Sequence, residues 1–406
     1  MKIAFYAPLK PVDHPIPSGD RQLGEALLKA LRIRGHDTFI ASRFRSFEGR
    51  GDGRRQARLA EVGKRLGDRL VRRLSRAERR PDVWFTYHLY HKAPDWLGPN
   101  VSRALDIPYV VAEASVAPKQ RYGKWALGYQ ESRNAIASAA ATIFFNPVDF
   151  AGVRTLRGPA RHDEYVPPFL DLSALGATSS TRETEHAGTK RRLRLITVAM
   201  MRPGAKLASY RLLADALGRI SPANRERMPD WELAVVGDGT ARGEVEAAFA
   251  QVASHIRFVG FQPPGEVAAW LRSSDLYVWP AIDEAFGMAF IEAQACGLPV
   301  IAGNGAGVAS VVAANRSGLL APLGDPAAFA QAIETLMTDG ARRRRMAAEA
   351  MNYASSQHDL PAAAARINVV LCRAIAEHAS TRSTIGRHRA APRRHRGHST
   401  LVIKAC

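Results

Sequence analysis

Short apolar runs alternate with amphipathic stretches through the first part of the chain. The run Ile3 to Ala7 is typical of a buried strand, and Asp20 to Arg34 carries leucines at the spacing of one helix face, with Gly35 as its exit. The pattern predicts further strands at Thr38 to Ser42, Val83 to Thr86, Tyr109 to Ala112 and Thr142 to Phe145, and a helix at Ala126 to Ala139. This alternation predicts a parallel sheet.

The same alternation restarts after a polar stretch, Ala177 to Lys190, which we interpret as part of an interdomain linker. Strands are predicted at Leu193 to Ala199, Glu232 to Val236, Ile256 to Val259, Leu276 to Trp279 and Pro299 to Ile301, with helices at Tyr210 to Ile220 and Gly243 to Val252. The predicted organisation is a first α/β domain (1–170), a linker (171–190), a second α/β domain (191–360), a C-terminal helix (361–378) and a basic, disordered tail (379–406).

Composition fits two ordinary domains, because 46% of the 406 residues are apolar. The net charge of +19 is concentrated in two segments: residues 43–80 hold 14 Lys and Arg against 5 Asp and Glu, and residues 378–406 hold 7 against none. Nucleic-acid binding would need aromatic side chains among the basic ones for base stacking, and residues 48–80 contain none. We therefore expect no nucleic-acid partner.

Cysteine usage and the N-terminus indicate the compartment. Cys296, Cys372 and Cys406 have no paired spacing, so neither a disulfide framework nor a cysteine-based zinc site is predicted. Met1 to Pro8 has the pattern of a first strand instead of a signal peptide, and no apolar run is long enough to cross a membrane. We expect a cytoplasmic protein, either free or peripheral on the inner face of the membrane.

The basic segment has helical periodicity, because Leu59, Val62, Leu66, Leu70 and Leu74 recur at helical spacing while Arg and Lys fill the other faces. One interpretation is that residues 56–77 lie on an anionic membrane surface and bring the protein to a lipid-linked acceptor. The other is a solvated helix that packs its leucines on the first domain. The sequence leaves both open.

Two carboxylates lie in an apolar strand–loop–helix–strand unit that begins at Leu276 and ends at Ile301. Glu284 is in the loop at the helix entrance, where Gly287 lets the backbone approach a ligand and free N–H groups favour an anion. Glu292 is inside a helix that is apolar on nearly all sides, so we expect it to be buried and to need a hydrogen-bonding partner such as a hydroxyl. A phosphate beside a sugar fits this pattern.

This segment, with Glu284 and Glu292 separated by seven residues, resembles the retaining glycosyltransferases of family 4. The resemblance covers roughly residues 1–375 and implies the GT-B fold, two Rossmann-like domains facing each other across a cleft, with the C-terminal helix crossing back to the first domain. It implies that Glu284 lies at the donor sugar and that Glu292 holds the nucleotide ribose. The alternative is a pair of structural carboxylates.

Two cations, Arg202 and Lys206, lie in a Gly/Pro loop after a predicted strand, at the edge where open α/β sheets bind ligands. The resemblance implies that they bind the donor diphosphate and stabilise it as the leaving group; a solvated turn is the alternative. No Asp-x-Asp and no metal-ligand spacing occurs in the sequence, so we expect metal-independent chemistry without a cofactor, the nucleotide-sugar being a co-substrate.

Other residues are expected to contact the nucleotide-sugar: Phe286, Gly287, Met288, Gly19, Gly260 and Phe261. The resemblance implies that Gly260 and Phe261 lie where family members bind the nucleobase, and the backbone at Gly19 can approach a phosphate or the acceptor. For Gly19 the alternative is a helix cap formed by Ser18 or Asp20, and for Gly260 and Phe261 it is packing. We interpret the glycines of Val235 to Gly239 as architectural, because a third glycine is missing from a dinucleotide pattern.

The first domain departs from the family. Many relatives carry a histidine after the strand that corresponds to Tyr109 to Ala112, whereas this chain has Glu113. Glu113, His88 and His91 are candidates to face the cleft, and for each histidine a packed or surface imidazole is the alternative. In this family the leaving phosphate is usually described as taking the acceptor proton, so a missing protein base does not exclude activity.

The sequence thus predicts an enzyme that transfers a sugar from a nucleotide-sugar donor to a saccharide, lipid-linked or small-molecule acceptor with retention of anomeric configuration. One alternative is a catalytically silent sugar- or nucleotide-binding scaffold, and another is sugar-nucleotide epimerisation. The donor sugar, its base, the acceptor and the linkage are not determined by the sequence.

Overall fold

The computed structural model describes residues 1–16, 18–78, 80–157, 162–176, 192–220, 228–284 and 286–389. The chain forms two compact units, each built around its own parallel sheet. The first unit contains Met1–Val166 and takes up the chain again from Ala364, while the second unit is Pro167–Ala363.

The first unit has six parallel strands, and a helix lies in each connection between successive strands, as the alternating pattern predicts. Its strands are β1 (Lys2–Tyr6), β2 (Asp37–Ser42), β3 (Val83–Leu89), β4 (Tyr109–Ala114), β5 (Ala141–Phe144) and β6 (His162–Tyr165). Its helices are α1 (Gly19–Ile33), α2 (Gly53–Ser75), α3 (Gly98–Leu105), α4 (Ala126–Ser138) and α5 (Pro147–Arg157). The inner strands are buried on both faces.

The second unit repeats the arrangement with six more parallel strands. They are β7 (Leu193–Val198), β8 (Trp231–Val236), β9 (Ile256–Gly260), β10 (Leu276–Trp279), β11 (Val300–Gly303) and β12 (Gly318–Ala321). The helices are α6 (Ser173–Gly176), α7 (Ala205–Gly218), α8 (Arg242–Ala248), α9 (Pro264–Arg272), α10 (Met288–Ala295), α11 (Pro326–Thr338) and α12 (Gly340–Gln357). The last helix, α13 (Leu360–Arg389), begins in this unit and from Ala364 belongs to the first.

Each sheet has a switch point next to the strand that comes first in its unit, where the order in which strands are added reverses. The first sheet has the order β2-β1-β3-β4-β5-β6, and the second has the order β12-β11-β10-β7-β8-β9. The connections from β1 and β3 therefore leave in opposite directions, and so do those from β7 and β10. Such a switch point opens a crevice at the carboxyl ends of the two strands, where open α/β sheets bind ligands.

The boundary between the units precedes the predicted linker. Residues 171–176, predicted as linker, include helix α6, and Leu170 and Leu172 are buried in the core of the second unit. Leu170 also exchanges backbone hydrogen bonds with His358 and Leu360. These apolar side chains draw the segment into the second unit, while residues 177–190 lie outside the described residues.

The prediction that a disordered tail begins at residue 379 was wrong, because helix α13 continues past residue 378 to Arg389. Ser380 and Thr381 donate their hydroxyls to carbonyls one turn earlier, and the Arg382 guanidinium pairs with Asp106 at 2.8 Å. These contacts extend the helix by about three turns beyond its predicted end. Residues 390–406 lie outside the described residues.

The leucine stripe of the basic segment packs on the first unit. Leu70 and Leu74 are buried in the same core as Val101 and Leu105 of α3. Helix α2 comes so close that a Cβ added at Gly63 would lie 2.3 Å from the Cβ of Trp96. The helix therefore buries Leu70 and Leu74, and partly Leu66, against the first unit and exposes its charged side. Its exposed cations are Arg54, Arg55, Arg58, Lys64, Arg65, Arg69, Arg72 and Arg73.

Candidate functional site

Arg202, Lys206 and Glu284 lie at the switch point of the second unit. We call these three residues and Glu292 the lysine–glutamate site. Arg202 and Lys206 follow β7, and Glu284 follows β10, the strand beside it. The crevice between these two strand ends is where the order of the sheet reverses. The topology thus brings together residues that are about 80 positions apart in the sequence.

Backbone packing holds the loop that carries Arg202. Gly237 and Gly239 have φ of 140° and 156°, and a Cβ there would meet the carbonyl oxygens of Ala199 at 1.9 Å and of Met201 at 2.2 Å. Met201 donates its N–H to the Asp238 carbonyl at 2.9 Å and is fully buried. This close approach accounts for the two glycines architecturally, as expected from the sequence.

Lys206 lies in the first turn of α7, because the helix begins at Ala205 and not at the predicted Tyr210. Gly204, with φ of 85°, turns the chain into this helix. The Lys206 ammonium pairs with the Glu284 carboxylate and lies 5.5 Å from the ring centre of Trp279. The two side chains keep 33% and 18% exposure, so a ligand can reach the pair. Arg202 is exposed, and no carboxylate of the described residues pairs with it.

The loop that carries Glu284 is held in an unusual conformation. Ala281, Asp283 and Gly287 all have positive φ, of 58°, 49° and 70°. The N–H of Ile282 donates to the Ser209 hydroxyl at 2.9 Å, which ties the loop to α7. A Cβ at Gly287 would lie 2.5 Å from the Phe290 ring, so glycine is required both by φ and by space.

Glu292 lies in the second turn of α10 and is half-buried, less enclosed than the expectation of a buried carboxylate. Phe290, Ile291, Ala293 and Gln294 take the buried side of this short helix, which leaves Glu292 at its margin. Burial raises the pKa of Tyr277 well above its usual value, with Glu292 and Glu284 adding to the effect. The Tyr277 hydroxyl donates to the Val198 carbonyl at 3.2 Å.

The remaining predicted contacts are spread over the same sheet edge. Phe286 and Met288 flank Gly287 and are half-buried. Gly260 ends β9 with φ of 80° and accepts a hydrogen bond from the Gly237 N–H at 2.8 Å. The Phe261 side chain is 69% exposed, so the packing alternative does not describe it. Contact with a nucleobase stays a prediction for both residues.

The switch point of the first unit holds a second group of side chains, Asp20, His88, Glu113 and Asp149, which we call the His88 cluster. The His88 imidazole nitrogen Nδ1 lies 2.5 Å from Asp20 Oδ1 and 3.8 Å from Glu113 Oε2. Strands β3 and β4 run past their predicted ends, so His88 and Glu113 are directly neighbouring strand residues. Both have positive φ, 60° and 56°. Asp20 comes from the first turn of α1.

The charges around His88 are carboxylates. Burial acts to lower its pKa, but Glu113, Asp20 and Asp149 outweigh burial and raise the pKa to about 9. Burial raises the pKa of the Glu113 carboxyl, with His88 opposing it, and burial likewise raises that of Asp149. His88 is therefore protonated at neutral pH and is a poor general base there.

The sequence pointed to His88 and Glu113 but not to their partners. Asp20 was considered only as a helix cap, and Ser18 takes that role by accepting from the Arg21 N–H at 3.3 Å. Gly19 is the exposed first residue of α1. Asp149 carried no signal, because only the fold brings the start of α5 near His88. For His91 the alternative holds: its imidazole packs edge-on to Trp125, and burial lowers its pKa.

Residues 192–339 match the family model described as Glycosyl transferases group 1. This stretch includes Arg202, Lys206, Glu284 and Glu292. It is about a third of the chain, and it lies within the second unit.

Curated relatives match a similar share. The D-inositol 3-phosphate glycosyltransferase of Jonesia denitrificans is 36% identical over 152 residues, which are 35% of this chain and 35% of that protein. The protein of the same name from Salinispora tropica is 30% identical over 203 residues, 47% of this chain and 42% of that protein. The chain thus matches about a third of the length of the first of these relatives and less than half of the second.

Solved structures resemble nine-tenths or more of the chain. Anabaena HepE in complex with UDP has a TM-score of 0.69 at 17% identity and covers 92% of this chain and 100% of that one. WaaG, a glycosyltransferase involved in lipopolysaccharide biosynthesis, has a TM-score of 0.61 at 16% identity, covering 90% and 99%. Together with the two six-stranded parallel sheets, these likenesses establish the two-domain α/β fold called GT-B.

Proposed function

We propose that the protein is a retaining glycosyltransferase that moves a sugar from a nucleotide-sugar to a saccharide, lipid-linked or small-molecule acceptor. The observation that carries the proposal is the lysine–glutamate site: Lys206 pairs with Glu284 at the switch point of a sheet whose residues 192–339 match a glycosyltransferase family model. HepE, which has the same fold, binds UDP and UDP-glucose in its solved structures.

The charges of the lysine–glutamate site suit a donor with a diphosphate and a sugar. Arg202 is an exposed cation with no carboxylate partner among the described residues, so it is available to a phosphate oxygen. In the proposal Lys206 neutralises the leaving diphosphate, Glu284 accepts hydrogen bonds from the donor sugar, and Glu292 accepts them from the ribose. The sheet-edge residues Phe286, Met288, Gly260 and Phe261 complete the nucleotide contacts.

In the proposed reaction the acceptor oxygen bonds to the anomeric carbon on the face from which the diphosphate departs. The bond between the anomeric carbon and the diphosphate oxygen breaks, and the acceptor hydroxyl proton passes to that phosphate oxygen. The protein binds, orients and neutralises charge, and no protein base is required. Retention and independence of metals belong to this proposal, the latter because Arg202 and Lys206 supply the positive charge.

The test is nucleotide release from a panel of UDP-, GDP- and ADP-sugars, first without an acceptor and then with a membrane lipid extract. We expect release by the wild type and a loss of at least about a hundred-fold in Glu284→Ala, since removing one preorganised group in an active site costs that much. Glu266→Ala, an exposed glutamate at the start of α9, is the matched control and should keep the wild-type rate. No release and no donor binding across the panel would favour the catalytically silent scaffold.

Membrane attachment is a separate part of the proposal. No helix among the described residues is long and apolar enough to cross a bilayer. The exposed cations of α2 would attract anionic lipids by charge alone, since the leucines are packed on the first unit. We expect sedimentation with anionic vesicles at low salt that is lost at high salt and in Arg65→Glu/Arg69→Glu/Arg72→Glu. Binding that survives high salt would contradict a purely electrostatic attachment.

A further inference from the structure

We infer that the His88 cluster is a binding site for a ligand that carries a protonated amine, such as an amino sugar. This inference rests on the proposed function only in treating that ligand as the sugar acceptor. It names a class of acceptor that neither the family match nor the names of the relatives indicate.

The first step is an unsatisfied acceptor. Glu113 Oε2 is buried from water and accepts no hydrogen bond of ordinary geometry from a described residue. His88 Nδ1 is 3.8 Å away, and the neighbouring Tyr87 hydroxyl donates its proton to the Asp20 carbonyl at 3.0 Å. A buried carboxylate oxygen without a donor is costly, and N–H or O–H groups of a ligand would relieve that cost. Glu113 Oε2 is thus a strong hydrogen-bond acceptor that an N–H or O–H group of a ligand can satisfy.

The second step is access. Asp20, His88 and Glu113 keep 19%, 26% and 16% side-chain exposure, so the cluster opens to solvent while its inner oxygen does not. It lies at the carboxyl ends of β3 and β4, beside the start of α1, at the point where the order of the first sheet reverses. Two adjacent non-glycine residues with positive φ are held there, a strain that recurs at ligand sites.

The third step is charge. Two carboxylates, Asp20 and Glu113, lie 2.5 Å and 3.8 Å from Nδ1 of the one imidazolium, and Asp149 at the start of α5 adds further negative charge. An ammonium group would reduce this excess of negative charge and could donate up to three hydrogen bonds. A phosphate group would be repelled, and a neutral sugar would supply donors without the charge. The geometry therefore favours amine over hydroxyl and hydroxyl over phosphate.

The test is calorimetric titration of the wild type, without any donor, with methyl α-glucosaminide, methyl α-glucoside and glucose 6-phosphate. We expect the amino sugar to bind at least about ten-fold more tightly than the neutral sugar, the scale of one charge-assisted hydrogen bond, and the phosphate ester to bind most weakly. Glu113→Gln should remove most of this preference. The matched control Glu61→Gln, an exposed residue on α2, should retain it.

Equal binding of the amino and neutral sugars, no binding of the amino sugar, or a preference that survives Glu113→Gln would each overturn the inference. Should Glu113→Gln fail to fold, Asp149→Asn gives the same comparison. A second readout is the pKa of His88 by NMR, which a bound ammonium should lower and methyl α-glucoside should not. The titration needs no nucleotide-sugar, so a preference for the amine would stand even if the protein consumed no sugar donor. Equally, sugar transfer could be shown while the preference for the amine is absent.

Discussion

The two units share one architecture and carry opposite charge at corresponding places. In each, the first strand leads into a helix whose first turn supplies one charged side chain, and the strand beside it supplies the partner. In the second unit these are Lys206 and Glu284, with the exposed Arg202 close in sequence. In the first they are Asp20 and His88, with two further carboxylates. In our proposal the sheet determines where a ligand binds, and the side chains determine which ligand it is.

The largest expected effect is that of Gly287→Ala, which tests the loop of the second unit that carries Glu284. Alanine would have to adopt φ of 70° and would bring its Cβ within 2.5 Å of the Phe290 ring. We expect a loss of about 2–4 kcal/mol of unfolding free energy, from backbone strain and overpacking together. Thermal unfolding measures it, with Gly265→Ala as the control, because nothing lies within 4 Å of a Cβ at that position in α9. Equal stability of the two variants would contradict the described loop.

The second prediction concerns His88. Its folded pKa of about 9 lies above its ordinary value of 6.5, so its contribution to stability is complete below about pH 6.5 and is lost as the pH rises through about 9. We expect the wild type to lose of order 2 kcal/mol over this interval relative to His88→Asn, a residue that tolerates positive φ. Urea unfolding at several pH values measures the difference. Parallel pH profiles of the two proteins would contradict the ion pairs with Asp20 and Glu113.

Arg202→Ala tests the proposal that the second unit binds an anionic ligand, the nucleotide-sugar donor. A charge-assisted hydrogen bond contributes about 1.5–3 kcal/mol, so donor binding should weaken by about ten-fold or more. Calorimetric titration with the donor found in the nucleotide-release panel measures this. Arg211→Ala, whose guanidinium pairs with Glu244 on the exposed side of α7, should bind the donor as the wild type does. Unchanged donor affinity in Arg202→Ala would remove this residue from the site.

The smallest expected effect is that of a chelator. If Arg202 and Lys206 neutralise the leaving diphosphate, saturating EDTA should leave the rate of nucleotide release within about two-fold of its value before treatment. Loss of activity that added Mg²⁺ or Mn²⁺ restores would show that a metal shares this task.

The candidate residues of the second unit are easier to find in the sequence than those of the first, because three of them lie in one contiguous segment. Glu284, Gly287 and Glu292 lie within nine residues, and their spacing can be read directly. The His88 cluster draws Asp20, His88, Glu113 and Asp149 from four separate elements, so only the strand order reveals it. Strand ends were also misjudged: polar His88 and Glu113 looked like loop residues, yet they continue β3 and β4 with positive φ.

The most direct test of a division of labour between the two switch points is hydrogen–deuterium exchange with each ligand in turn. The account predicts that a bound nucleotide-sugar slows exchange in residues 200–208 and 282–292 of the second unit. It predicts that methyl α-glucosaminide slows exchange in residues 18–24, 86–91 and 111–115 of the first. Protection of the first unit by the nucleotide-sugar, with the second unchanged, would contradict the account.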